Sequence, residues 1–210
     1  SGDSVTRRTK QNFPYQPGKS LQIMQSFKGA TLASGLTQEV GYFSESNGVL
    51  LRASGTTLQF VQRSYTSGSV VETIVNQDSW NIDTASWLNF DKANIFTADL
   101  EWLGTGRVRV GFIKEGEFYY CHEFHNANSL DSVYMTTAVL PLAYRIEATG
   151  TASGTMKQIC STVISEGGYE PKGIIHTVSP SIGSIPNTSG ERIVAGIRMA
   201  SGRTDNVVVV

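Results

Sequence analysis

The chain has 210 residues, enough to bury a core of its own without metal or disulfide staples. Seventeen basic and eighteen acidic residues leave a net charge of -1, so no overall field draws it to nucleic acid or to an anionic membrane. Two cysteines, Cys121 and Cys160, are too few for a disulfide framework, and no apolar run is long enough to span a bilayer.

The first residues, with Arg7, Arg8, Lys10 and Lys19 and few aliphatic side chains, read as an extended arm interrupted by Pro14 and Pro17. Short β-branched or aromatic runs then follow one another, each bounded by Gly, Ser or Asn. Strands are predicted at Leu21 to Phe27, Val40 to Phe43, Val49 to Ala53, Thr57 to Tyr65, Ser69 to Asn76 and Asn94 to Leu103. Further strands are predicted at Arg107 to Lys114, Glu117 to Phe124, Leu142 to Thr149, Thr155 to Ser165 and Arg192 to Met199. Turns fall at Ser54-Gly55, Thr66-Ser67-Gly68, Gly104-Thr105-Gly106 and Glu115-Gly116.

With no long stretch of helical period, this pattern predicts an all-β chain: an antiparallel β-sandwich of jelly-roll or concanavalin-like type. The expected organisation is an N-terminal arm and lead-in strand over 1–34 and the sandwich over 35–166. A linker over 167–190 then leads to the start of a further β segment over 191–210. The bare apolar end at Val207 to Val210 reads as the cut edge of a longer polypeptide or as a strand that pairs with a neighbour.

The chemically richest stretch is Glu117 to Asn128, EFYYCHEFHNAN, which holds two of the chain's three histidines and one of its cysteines. Strand alternation divides it between two faces. A two-residue turn at Glu115-Gly116 sets Lys114 opposite Glu117, Phe112 opposite Tyr119, Val110 opposite Cys121 and Arg109 opposite His122. Tyr119 and Cys121 are then expected to pack inward, with Tyr120 and His122 outward. Glu123 and His125 are the residues a metal would draw on, but one strand offers at most two neighbours of one face where zinc needs about four ligands. The His-Glu-Phe-His order also lacks the helical spacing of a metalloprotease site. No metal or cofactor is expected, and Cys121 is expected to be an inert buried thiol.

Asp99 and Glu101 should share one strand face with Thr97. The stretch Thr97 to Gly104 is similar to the active strand of laminarinase-type jelly-roll glycosidases, where nucleophile, helper aspartate and acid/base stand in a row. Here Thr97 occupies the nucleophile's place, and retaining hydrolysis requires a second carboxyl about 5 Å from the acid. No enzymatic activity is expected; Asp99 and Glu101, on an exposed polar face, are instead candidate ligand-binding residues, with Trp102 and Tyr120 as candidate aromatics that could stack on a sugar ring.

Several stretches form a recognisable series: Tyr15 to Ser20, Gly41 to Phe43, Ser79 to Asp83, Asp99 to Gly104, Arg107 to Phe112, Cys121 to Asn128, Tyr134 to Thr137, and Leu140-Pro141. From about residue 7 to the C-terminus the chain resembles virion structural proteins of tailed phages, particularly marine ones. The resemblance implies a non-enzymatic role in a virion, through capsid, neck, tail or fibre contacts with other virion proteins and through homo-oligomers. The alternative expectation is a carbohydrate-binding module that holds a host-surface glycan.

Overall fold

The computed structural model describes residues 2–166, so the expected linker over 167–190 and the segment over 191–210 lie outside the described residues. The chain order is β1 (Asp3–Arg8), β2 (Phe13–Pro14), β3 (Leu21–Lys28), β4 (Leu36–Phe43), β5 (Gly48–Ser54), β6 (Thr57–Ser64) and β7 (Val71–Asn76). A single 3-10 turn at Gln77–Ser79 precedes β8 (Ala93–Leu100), β9 (Val108–Lys114), β10 (Glu117–Phe124), β11 (Val139–Leu140), β12 (Leu142–Ala148) and β13 (Lys157–Ser165). Among the described residues no helix is long and apolar enough to cross a membrane.

The strands form an antiparallel β-sandwich. One sheet has six strands in the order β1-β12-β4-β5-β6-β7, and the other has five in the order β10-β9-β8-β3-β13. A two-stranded ribbon of β2 and β11 stands apart. The inward rows interlock: Val40, Tyr42, Val49, Leu51 and Phe60 of the six-stranded sheet share one apolar core with Ile23, Phe27, Phe96, Val110 and Phe112 of the other. Opposed apolar rows at period two hold two sheets face to face, and this core supplies most of the stabilisation.

Tyr42 shows how the smaller ribbon is tied on. Its buried hydroxyl lies 2.6 Å from the carbonyls of both Phe13 and Ala138, donating to one of them, and accepts the Leu140 N–H at 3.0 Å. Burial raises the phenol's pKa, which keeps the donating proton in place.

Two features differ from the sequence expectation. The stretch 1–34 is no simple arm ahead of the sandwich, because β1 pairs with β12 from Asp3↔Ala148 to Arg8↔Ala143, and β3 lies between β8 and β13. A strand of Asp, Ser, Thr and Arg with Val5 as its one aliphatic residue carries no apolar stripe, yet at a sheet edge it needs one only weakly.

The second difference is in the β9–β10 hairpin. Its two-residue turn is as predicted, with Glu115 and Gly116 both at positive φ (56° and 88°), and Glu117↔Lys114 and Tyr119↔Phe112 are paired. A bulge between Tyr120 and His122 then shifts the register, so His122 opposes Val110 and Glu123 opposes Arg109.

Candidate functional site

The bulge is held by the loop that follows the 3-10 turn. Ile82 and Asp83 both donate backbone N–H groups to the Cys121 carbonyl, at 3.0 and 3.1 Å. Asn81 donates its backbone N–H to His122 Nδ1 (3.3 Å) and exchanges side-chain bonds with the Glu123 backbone. His122 is therefore buried rather than outward, and burial lowers its pKa. Tyr119, expected inside, is exposed, with its ring set edge-on to Trp87. Cys121 is inward as expected, and burial pushes its thiol up to about 12.

The candidate ligand residues separate. Strand β8 ends at Leu100, so Glu101 leaves the face it was expected to share with Asp99 and stands exposed in the following turn. There it pairs with Arg107 at 3.2 Å, and Arg107 also reaches Glu123 at 2.9 Å. His125 lies 3.8 Å from Glu123. Among the described residues no three His, Cys, Asp or Glu side chains converge as a metal would require. Trp102 packs against the core with its ring edge-on to Tyr15.

Asp99 and Tyr120 do meet, through Arg109. The guanidinium binds Asp99 Oδ2 through Nε at 2.8 Å and through Nη2, and lies 4.4 Å from the centre of the Tyr120 ring. Asp99 is buried rather than on an exposed face. Tyr120 in turn donates to Gln22 Oε1 at 3.3 Å, and Gln22 binds Thr97. These contacts use the side chains on one another.

The charged cleft lies on the other sheet, on its outward face, and none of its residues stood out in the sequence. Register places Glu39 directly across from Arg52, and Arg63 directly across from Glu72. Arg52 reaches Glu39 through Nε (2.8 Å) and grips both Glu72 oxygens at 2.7 Å. Arg63 donates to Glu72 Oε1 at 2.8 Å, to Glu39 Oε1 at 3.2 Å and to the Ser44 carbonyl at 2.8 Å. Beside these groups, on the same face by strand parity, Phe43, Leu50, Val61 and Ala143 form a small apolar cluster of their own. Such bidentate and shared bonds fix the guanidinium planes.

Together with Thr37, Ser54, Arg145 and Glu147, the residues Glu39, Arg52 and Arg63 line a cleft of about 270 Å³. Two polar atoms here are buried and without a hydrogen-bond partner: Glu39 Oε2, on a residue only 3% exposed, and Arg145 Nε. The Arg145 terminus is held by Glu147 (2.9 Å) and Glu45 (3.4 Å). Orphaned polar groups of this kind cost free energy until something bonds them.

Hydrogen bonds from Arg52, helped by Arg63 and opposed by burial, hold the Glu72 carboxyl at about 2, against an ordinary 4.5. A depressed folded-state value means that the stability this group contributes is complete above pH 4.5 and is lost as pH falls through about 2. Glu72→Gln is therefore expected to flatten the acid limb of stability over that window. Urea melts at stepped pH measure it, and an unchanged acid limb would show that Glu72 does not couple to folding.

No protein-family model matches the chain, and no curated protein sequence does. Among solved structures, it is similar to the binding domain of botulinum neurotoxin serotype D, at 10% identity and a TM-score of 0.44, over 79% of this chain and 37% of that one. This chain thus spans little more than a third of that structure. It is also similar to a galectin of Caenorhabditis elegans (8% identity, TM-score 0.40, 77% of this chain and 95% of that one). A third likeness is to a β-glucanase of Bacillus licheniformis (13% identity, TM-score 0.39, 77% of this chain and 70% of that one).

Proposed function

We propose that the chain is a non-enzymatic binding module that takes an uncharged glycan in the cleft on the outer face of the six-stranded sheet. The observation that carries this reading is the mixed lining of one cleft, where the carboxylates of Glu39 and Glu147 stand beside the guanidinium groups of Arg52, Arg63 and Arg145. An anion would meet the Glu39 and Glu147 carboxylates, and a cation would meet three guanidinium groups. A polyol suits both, since one hydroxyl can donate to the carboxylate while its neighbour accepts from the guanidinium. The lattice of ion pairs holds these groups in place before the ligand arrives, which lowers the ordering cost of binding.

The full chain is expected to bind a subset of neutral oligosaccharides on a glycan array. Glu39→Gln, which keeps the shape and removes the charged acceptor, is expected to weaken that binding about tenfold or more, the worth of one charge-assisted hydrogen bond. Calorimetry on the best array ligand reads the change. Failure to bind any glycan, or binding that Glu39→Gln leaves intact, would refute the reading.

The motif series from Tyr15 to Leu140-Pro141 supports a setting for this activity, as a structural component of a tailed-phage virion. There the module would adhere to host-surface glycans while contacting other virion proteins. Density for this chain in images of intact particles tests the setting, and particles that lack it would sink it.

A further inference from the structure

Strand β1 is an edge strand: it pairs with β12 on one side and with nothing among the described residues on the other, and all six of its residues are exposed. The direction of its free backbone groups follows from its bonds. Thr9 donates its N–H to the Leu142 carbonyl, so by alternation Arg7, Val5 and Asp3 turn their backbone groups toward β12. Those of Ser4, Thr6 and Arg8 point outward.

Side chains alternate as well. Val5 and Arg7 rim a shallow groove of about 150 Å³ with Tyr144, Ile146, Met156 and Gln158, and Asp3 shares their face by parity. Val5 is 66% exposed there. Neither Asp3 nor Arg7 has an ion-pair partner among the described residues.

We propose that two copies of the chain join edge to edge through β1, antiparallel, with Val5 on the two-fold axis. A two-fold perpendicular to the sheet keeps each side chain on its own face, so opposed residues must have the same parity. With Val5 opposite Val5 of the second copy, Asp3 falls opposite Arg7 and Ser4 opposite Thr6. Each match is favourable: an apolar pair on the axis, an ion pair on either side of it, and hydroxyls across from hydroxyls on the other face. Ser4 and Thr6 are also residues whose N–H and C=O point outward, so each such pair exchanges both backbone bonds. The strand is complementary to itself in sequence, side-chain face and hydrogen-bond phase.

The opposite edge of this sheet offers less. On β7, Glu72 is already bound by Arg52 and Arg63.

The pairing merges two six-stranded sheets into one, and the axis puts both clefts on the same side of it. Arg145 and Glu147 lie directly across from Thr6 and Ser4, so each cleft starts one strand in from the edge. At about 4.8 Å per strand the cleft centres are roughly 25 Å apart. If the glycan reading also holds, the dimer is a bivalent adhesin whose avidity on a surface exceeds its single-site affinity. The dimer itself does not depend on that reading.

Sedimentation equilibrium of the full chain is expected to show a concentration-dependent dimer. Thr6→Pro removes an outward N–H and no bond to β12, so it should give a folded monomer. Asp3→Arg and Arg7→Asp alone should each weaken the dimer by setting like charges opposite one another, and the two together should restore it. A chain that stays monomeric at its highest soluble concentration overturns the proposal. So does an oligomer that Thr6→Pro and both charge reversals leave unchanged. Because sedimentation is read without glycan, failure here is distinct from failure on the array.

Discussion

Replacing Arg63 with alanine is expected to lower the free energy of unfolding by about 3–5 kcal/mol, and to abolish ligand binding in the cleft. The side chain is 6% exposed and its partner Glu39 is 4% exposed. Truncation leaves Glu39 with only Arg52 and strips one donor from Glu72, so a buried carboxylate loses part of its compensation. The Ser44 carbonyl also loses its guanidinium donor, and the Phe43 ring loses the cation 5.5 Å from its centre. An effect of this size is a large fraction of the whole stability of an ordinary domain.

A second variant separates stability from function. Exchanging all four charged residues for apolar ones of similar size, Glu39→Leu, Arg52→Met, Arg63→Met and Glu72→Leu, removes both signs of charge together. Such wholesale replacement of a buried ionic network is often neutral or stabilising. Urea melts are therefore expected to show a large loss for Arg63→Ala and a much smaller one for the fourfold variant, while neither binds glycan. A mild loss for Arg63→Ala would mean that the network is solvated in solution and does not preorganise a site.

The network was invisible in the sequence for a physical reason. Glu39, Arg52, Arg63 and Glu72 lie on four strands, and only register brings them together. Sequence spacing detects partners on one strand or across a short hairpin of known turn, as Glu115-Gly116 showed for Lys114 and Glu117. The loop from Tyr65 to Val70 is too long to set the pairing of Arg63 with Glu72 in that way. Most strands were legible because their inward rows are apolar at period two, as in Leu21–Lys28 and Gly48–Ser54. Strand β1 was not, since its edge position demands only backbone bonds.

Alternation failed at one further place, for a related cause. The bulge at Cys121 is imposed by Asn81, Ile82 and Asp83, residues forty positions away in the chain. A strand that receives a loop on its edge can absorb an extra residue, and every face assignment beyond that point then inverts. His122 moved inward by this route. Asp99 and Glu101 parted for the simpler reason that β8 stops between them, at Leu100, and the chain then turns at Leu103 and Gly104 (φ 34° and 81°).

The other large effect belongs to Phe60. It is fully buried on β6, stacked on Trp80 with ring centres 4.1 Å apart, and within 6.1 to 6.3 Å of Phe112 and Phe96 on the opposite sheet. One ring thus joins the two sheets and the loop that holds the bulge. Phe60→Ala should cost about 3–5 kcal/mol from lost burial and the cavity left behind. Aromatic pairing would put the cost toward the upper end, because each ring contact adds to simple area burial. Trp80 should loosen with it, since among its remaining ties is the indole N–H bond to the Val75 carbonyl at 3.2 Å. That loosening travels along the chain through Asn81 to His122. Denaturant melts followed by tryptophan fluorescence should show the loss as a lower midpoint at an unchanged slope. Exchange of the Ile82 and Asp83 amides should rise by more than that of the cleft strands β4 and β5, because their bonds to Cys121 depend on the Trp80 anchor. Uniform acceleration across both sheets would instead mean that Phe60 stabilises the sandwich globally and that the bulge is anchored without it.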